Sequence, residues 1–278
     1  MNIDFAAHKT LFEKLPKEVI EAFNTPYNIT ALQIEEYQQN GFIKLAKVLE
    51  GEALDYANKI ITEAVNARTE HDKRTLSEKS DYEKSFLQCG YLCWDFPAVK
   101  EYVFGKRFAG IASDLMKVNG VRLWHDQALY KEPGGRITDG HWDSSYWPIA
   151  SENTITMWMA LCNVPQEKGC LNFVPGTHKL GFKEYVNIFE SPHTPEGMKN
   201  KNKVVVPLNA GDATFHSGLT YHEANANSTS EMRQAMTVIY FEDGVKFTAE
   251  DKRNKEHKSC WELNDGDIID TQYTPKLI

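Results

Sequence analysis

The sequence predicts a mostly β fold with flanking helices: a helix-rich first part leading into a β-sandwich or a barrel closed on itself. Up to about residue 120, apolar residues recur at helical spacing. From Val121 onward, short strand-like segments follow one another without intervening helices, separated by Pro, Gly, Asn and Asp turns. Of the 278 residues, 41% are hydrophobic and 25% charged, which is globular composition with apolar side chain enough for a sizeable core. One domain is expected, with about 1–120 as the helix-rich part, about 121–245 as the β core and 246–278 as a C-terminal extension.

Taken in order, the first 28 residues show only short helical periodicity around Pro16. Thr30 is an N-cap for "ALQIEEYQQNG", which Gly41 stops. "FIKLAKVL" alternates as a strand. In "GEALDYANKIITEAVNARTEH", Leu54, Ala57, Ile60, Ile61, Ala64 and Val65 form one apolar stripe. The charged, aperiodic stretch 68–84 reads as a mobile loop or a solvated helix, and "AVKEYVFGKRFAGIASDLMKV" after Pro97 as a second packing helix. The strands expected next are "VRLWHDQALYKE", "TITMWMALCNV", "CLNFVPG", "KVVVPL", "DATFHS", "TYHEAN" and "QAMTVIYFE".

A net charge of −8, with basic residues interleaved among acids, offers no stripe for counterion release and argues against a nucleic-acid partner. No apolar run approaches the ~20 residues that span a bilayer, so no membrane segment is expected. The cysteines Cys89, Cys93, Cys162, Cys170 and Cys260 are odd in number, and no secretory signal is legible before them; a reducing cytoplasm is the expected location. Cys89 and Cys93 have the spacing of half a zinc site, but no second pair completes it.

The chemistry concentrates in "TDGHWDSSYWP", residues 138–148. On an extended segment, His141 and Asp143 would project from one face of the pleat as a two-toothed chelate. Taken alone, the pair reads more readily as a polar turn beside an aromatic cluster. A third ligand would come from far along the chain, where His216 and His222 are both available. Two histidines and a carboxylate on one face of a metal leave three positions open, the arrangement of non-haem Fe(II) oxygenases.

Five stretches in register, "ITALQIEEYQQNGFIKLAKVL", "HDQALYKEPGG", "HWDSSYWPI", "TITMWMALCNVPQEKGCLNFVPGTHKLG" and "AGDATFHSGLTYHEANANSTSEMRQAMTVIYFE", resemble the phytanoyl-CoA dioxygenase family of Fe(II)- and 2-oxoglutarate-dependent oxygenases across residues 30–245. The resemblance implies a double-stranded β-helix core of the jelly-roll or cupin-like kind. It also implies Fe(II) held by His141, Asp143 and His222, 2-oxoglutarate as cosubstrate, and O2. Arg233, eleven residues after His222, is implied as the anchor for the far carboxylate of 2-oxoglutarate, a task suited to its planar fork of donors. Relatives often carry a small hydroxyl residue two after the distal histidine; here that residue is Ala224, and Thr220, Tyr221 or Thr237 are the available substitutes.

His216 reads as a pocket wall, while Gln127 and Trp158 match positions facing cosubstrate or substrate; core packing is the alternative for Trp158. Lys131 is expected at the pocket mouth, and Gly169, Pro175 and Gly176 in turns. His8, His71, His125, His178, His193 and His257 read as ordinary residues, the first two and last two of them exposed-looking. Trp124, Tyr146, Trp147 and Trp142 are candidates for an aromatic wall near the iron, with Tyr146 and Trp147 favoured. The implied reaction is hydroxylation of an unactivated C–H bond of a small organic metabolite, releasing succinate and CO2. Desaturation, cyclisation or a non-catalytic binding role are the alternatives. The carboxylate of Asp143 stands where related halogenases lack one, which favours hydroxylation. With no basic groove for the phosphates of coenzyme A, a small polar or secondary metabolite is the expected substrate. Oligomeric state is not read from the sequence.

Overall fold

Thr30 opens helix α2 (Ala31–Asn40) with a closed capping box: its hydroxyl accepts from Gln33 N at 3.2 Å, and the Gln33 side chain accepts from Thr30 N at 2.8 Å. Gly41, at φ +82°, ends that helix and turns the chain into strand β1 (Phe42–Leu45). The structure, a computed structural model, describes residues 7–181, 194–249 and 257–278. His193 lies outside the described residues.

The other helices are α1 (Lys17–Asn24), α3 (Gly51–Thr69), α4 (Asp81–Ser85), α5 (Leu92–Asp95), α6 (Pro97–Val103) and α7 (Lys106–Met116). Two expectations change. The single helix expected after Pro97 is two, because the chain leaves helical geometry at Gly105 (ψ 119°), where a Cβ would come within 2.7 Å of the Phe23 carbonyl oxygen. The stretch 68–84 contains α4, started by a Ser80–Glu83 capping box and braced by Arg74, which pairs with both Asp72 and Glu83.

The remaining strands are β2 (Leu87–Gly90), β3 (Val121–Tyr130), β4 (Thr138–His141), β5 (Thr154–Ala160), β6 (Leu171–Phe173), β7 (Val204–Val206), β8 (Ala213–Ser217), β9 (His222–Ala224) and β10 (Ala235–Glu242). They form two antiparallel sheets, ordered β1-β8-β5-β10-β3-β2 and β4-β9-β6-β7, the expected double-stranded β-helix. β2 and β4 were not among the expected strands.

Alternation gives the larger sheet two different faces. Ala128 and Tyr130 of β3, Met157 and Met159 of β5, and Met236 and Val238 of β10 bury against Phe23, Ile60, Ile61, Val99 and Phe108 of the helices. Each buried Val, Ile, Met or Phe among them contributes about 1.5–3 kcal/mol by leaving water, so this helical layer fixes the sheet. The opposite face carries His125, Gln127 and Leu129 of β3, Thr156 and Trp158 of β5, Thr237 of β10 and His216 of β8, and these line a cavity.

One register shift interrupts the pattern. Ile239 pairs with His125 but Tyr240 with Leu123, leaving Trp124 as an extra residue in β3. The bulge lets Trp124 pack with Trp147, Phe241, Phe247, Cys260 and Ile269 while His125 keeps its place on the cavity wall. The C-terminal extension closes over this end: Ile269 N donates to the Val245 carbonyl, and Arg122 pairs with Asp270 at 2.5 Å.

Candidate active site

Strands β4 and β9 pair so that His141 lies directly across from His222, with ring centroids 4.3 Å apart. β4 stops at His141. Asp143 begins a short 3-10 turn (Asp143–Tyr146), rather than continuing the extended segment that the sequence suggested, and the turn brings its carboxylate back to the imidazoles. Asp143 Oδ1 stands 3.4 Å from His141 Nε2 and 3.7 Å from His222 Nε2. One ligand atom from each of the three residues fits within 4.8 Å, the spacing of a metal-binding group.

The partners around the three residues orient them for that use. His141 Nδ1 lies 2.9 Å from the Asp139 carbonyl and His222 Nδ1 3.0 Å from the Thr220 carbonyl. A carbonyl only accepts, so both Nδ1 atoms carry the proton and both Nε2 lone pairs point at the shared centre. Burial, with His141 beside it, pushes His222 down to about 3, which keeps it neutral and able to ligate. Burial alone would raise Asp143, but the imidazoles of His222, His141 and His216 hold its carboxyl well below the usual range. Two imidazoles with oriented Nε2 atoms and one carboxylate form a donor set that fits a divalent cation such as Fe(II).

Asp143 Oδ2, turned away from the imidazole pair, accepts from Thr156 Oγ1 at 2.8 Å and lies 3.2 Å from His216 Nε2. His216 is therefore a partner of the carboxylate as well as a wall of the cavity.

Arg233 follows β9 and enters the same cavity, fully buried, its guanidinium 5.4 Å from the Trp158 ring. Nη1 donates to the Gly169 carbonyl at 2.9 Å and Nη2 to that of Leu129 at 3.3 Å, two of five donors, and no carboxylate pairs with it among the described residues. Burial pulls its pKa down only to about 10, so it remains a cation at neutral pH. A buried cation without an anion is costly, and an acid group in the cavity would relieve that cost.

Gln127, Trp158 and Thr237 form one cross-strand row on β3, β5 and β10, all facing the cavity, with Ala224 nearby. Tyr146 and Trp147 line it as well. Four expected positions lie elsewhere. Trp142 packs with Val174, Met198 and Tyr221. Thr220 donates its hydroxyl to the Gly41 carbonyl at 2.7 Å and does not reach the cavity, because that bond holds the turn entering β9. Trp124 is drawn into the C-terminal cluster by the bulge. Lys131 is buried, not at a mouth: its ammonium donates to the carbonyls of Arg136 and Asn225 at 2.6 and 2.9 Å. Of the residues read as exposed and ordinary, His8 is buried, and His257 lines the cavity together with His125.

The sequence reading missed Thr156, Tyr91 and this pair of histidines. Alternation could have found Thr156, two before Trp158, and His125, two before Gln127. Nothing local marks Tyr91 or His257, which long-range packing brings in.

The cavity encloses about 630 Å³, room for a cosubstrate and a ring-sized molecule. A cupin-like barrel carrying two histidines and one aspartate at its centre defines the class of non-haem metal oxygenases. The sequence profile of the Phytanoyl-CoA dioxygenase (PhyH) family matches residues 37–235, and the chain belongs to this family of Fe(II)- and 2-oxoglutarate-dependent oxygenases. Among curated relatives, the phytanoyl-CoA dioxygenase domain-containing protein 1 homolog of Caenorhabditis elegans is 24% identical over 258 residues, covering 75% of this chain and 89% of the relative. Among solved structures, the non-heme alpha ketoglutarate dependent carbocyclase SnoK from nogalamycin biosynthesis superposes with a TM-score of 0.74 at 23% identity, covering 91% of this chain and 99% of that one. The epimerase SnoN, solved with Fe3+, alpha ketoglutarate and nogalamycin RO, gives 0.73 at 24% identity, covering 89% and 98%. These likenesses establish the fold. No helix among the described residues is long and apolar enough to cross a membrane.

Proposed function

We propose that the chain is a hydroxylase that oxidises a C–H bond of a small organic metabolite, with His141, Asp143 and His222 as the iron ligands and Arg233 as the anchor of 2-oxoglutarate. The observation that supports it most is the convergence of His141 Nε2, His222 Nε2 and Asp143 Oδ1, each fixed by a partner on its other atom. Bound there, Fe(II) lets O2 and 2-oxoglutarate react so that one oxygen atom leaves in succinate, the other enters the substrate C–H bond, and CO2 is released.

The protein's own part is placement. The two imidazoles and the carboxylate hold one face of the metal and leave the other to small molecules. Arg233 offers its remaining N–H groups to the far carboxylate of the cosubstrate, and the Trp158 ring beneath it keeps the guanidinium from swinging away. Tyr146 and Trp147 exclude water from the reacting face. The five cysteines are free thiols, which supports a reducing, cytoplasmic setting.

Ring closure or desaturation is the second reading, favoured by the likeness to a carbocyclase. Product mass separates the two: hydroxylation adds one oxygen atom, ring closure or desaturation removes two hydrogens. The primary test is anaerobic addition of Fe(II) and 2-oxoglutarate. A weak visible charge-transfer band is expected, together with succinate release in air; absence of both would remove the assignment.

A further inference from the structure

The cavity has a second polar end that the metal centre and Arg233 leave unused. His125 and His257 stack there with ring centroids 5.4 Å apart at 22°, and Tyr91 packs on His125 at 5.5 Å while its hydroxyl lies 3.0 Å from His257 Nδ1. All three line the cavity. The carbonyl of Leu129, which accepts from Arg233, lies four residues along β3 from His125, about 13 Å of strand. Thr156, the hydrogen-bond donor to Asp143, shares a cross-strand row with His125 but sits two strands away, about 10 Å. The imidazole pair thus lines the same cavity as His141, Asp143 and His222, away from Arg233 along β3.

The backbone gives a second, independent sign. Tyr91 sits at φ +58° and ψ +30°, a left-handed conformation uncommon for a bulky residue. It is held there by Asp126, which points away from the cavity between His125 and Gln127: the Asp126 carbonyl accepts from Tyr91 N at 2.9 Å and its carboxylate from Leu92 N at 2.9 Å. The segment His125-Asp126-Gln127 therefore builds two cavity walls at once, directly through the outer pair and through Tyr91 by way of the middle residue.

The chemistry of this wall is specific. His125 Nδ1 lies 3.4 Å from the Asp126 carbonyl and carries the proton there, so Nε2, without a partner among the described residues, is an acceptor. Burial pushes His125 down to about 3 and His257 to about 4, so both rings are neutral at physiological pH. Among the described lining residues Arg233 is the only lysine or arginine, and Asp81 and Glu223 add acid. The Lys258 ammonium rests 5.6 Å from the centre of the Tyr91 ring and is not part of the lining.

We infer that Tyr91, His125 and His257 form the substrate-recognition wall, and that it takes an uncharged ring-bearing molecule through a hydroxyl that donates to His125 Nε2. This rests on the triad being the oxygenase centre, since it is the substrate of that centre which the wall presents. Among the described residues no lysine or arginine lines this wall, which argues against substrates tethered to coenzyme A.

The test uses full-length, metal-free protein and calorimetric titration with 2-naphthol, its methyl ether 2-methoxynaphthalene, and coenzyme A. The naphthol is expected to bind about tenfold tighter than the ether, the worth of one hydrogen bond at the upper end of the usual range. His125→Phe, which keeps a ring and removes the acceptor, is expected to erase that difference, and coenzyme A is expected not to displace the naphthol. Equal affinity for naphthol and ether in the wild-type protein overturns the inference without recourse to any variant. So does discrimination that survives in His125→Phe, or displacement by coenzyme A. The charge-transfer band with Fe(II) and 2-oxoglutarate is read separately on wild-type protein. Its absence counts against the triad reading alone, and lost donor discrimination against this inference alone.

Discussion

Thr156 donates to Asp143 Oδ2 at 2.8 Å, so the carboxylate is held by the oxygen that does not face the two imidazoles. The bond crosses from β5, a central strand of the larger sheet, to the turn after β4, and ties the orientation of a proposed metal ligand to that sheet. Thr156→Val keeps the shape and removes the donor. Metal affinity is expected to fall about 10–100-fold, the usual cost of losing such a partner, with little change in the melting temperature. Anaerobic Co(II) titration followed by visible absorption measures it, and unchanged affinity would mean that His216 suffices.

The ligand atoms themselves should behave as one unit. His141→Ala, Asp143→Ala and His222→Ala are each expected to abolish both the charge-transfer band and succinate release, since each removes a donor that no neighbouring side chain replaces. His216→Phe is expected to weaken the band without abolishing it, because His216 bonds Asp143 through Oδ2, the oxygen turned away from His141 and His222. If His216→Phe were the variant that lost the band, the third ligand would have been misassigned between His216 and His222.

Those two histidines show what the sequence could and could not decide. Both were legible as candidates, and so were His141, Asp143 and Arg233, because ligand types and their order are linear information. Residue types alone left His216 and His222 both open and the family resemblance chose His222; the two differ in register, for His222 pairs across from His141, while His216 lies in the other sheet opposite Thr156. The same limit applies at Trp124, which packs in the C-terminal cluster instead of lining the cavity, and at Thr220, where a hydroxyl expected at the cosubstrate holds Gly41. The strands of the β core were readable from alternation. β4 was not, because its four residues, TDGH, include a glycine and carry no apolar alternation.

Arg233 is expected to act through affinity. Removing one partner of a buried charge pair costs about 2–5 kcal/mol, so Arg233→Met should raise the 2-oxoglutarate requirement about thirtyfold or more. Succinate release measured against 2-oxoglutarate concentration reports this directly. A requirement equal to the wild type would remove the anchor role and leave Arg233 as a brace for the Gly169 and Leu129 carbonyls.

Stability should depend on pH through the histidine wall. His125 and His257 are held near 3 and 4 in the folded protein, below the value of about 6.5 expected when unfolded. Between those limits the unfolded chain binds more protons, so stability is full above about pH 6.5 and is lost as pH falls towards 4. His257→Gln is expected to flatten that part of a melting-temperature profile. An unchanged slope would place the acid sensitivity elsewhere.

Gly41 links the entry helix to the proposed metal site, and its substitution should be felt at both. Its carbonyl accepts from Thr220 Oγ1, and the Thr220 carbonyl in turn holds His222 Nδ1. At φ +82°, a Cβ on Gly41 would come within 2.3 Å of His178 Nδ1 and 2.5 Å of Thr220 Oγ1. The left-handed backbone alone costs an alanine about 1–2 kcal/mol, and displacing the Thr220 hydroxyl adds to that. Gly41→Ala is therefore expected to lower the melting temperature by several degrees and to weaken Co(II) binding in the same protein. A stability loss with unaltered metal affinity would show that the turn between Thr220 and His222 tolerates the shift, and that the tautomer of His222 is held by the strand pairing to His141 instead.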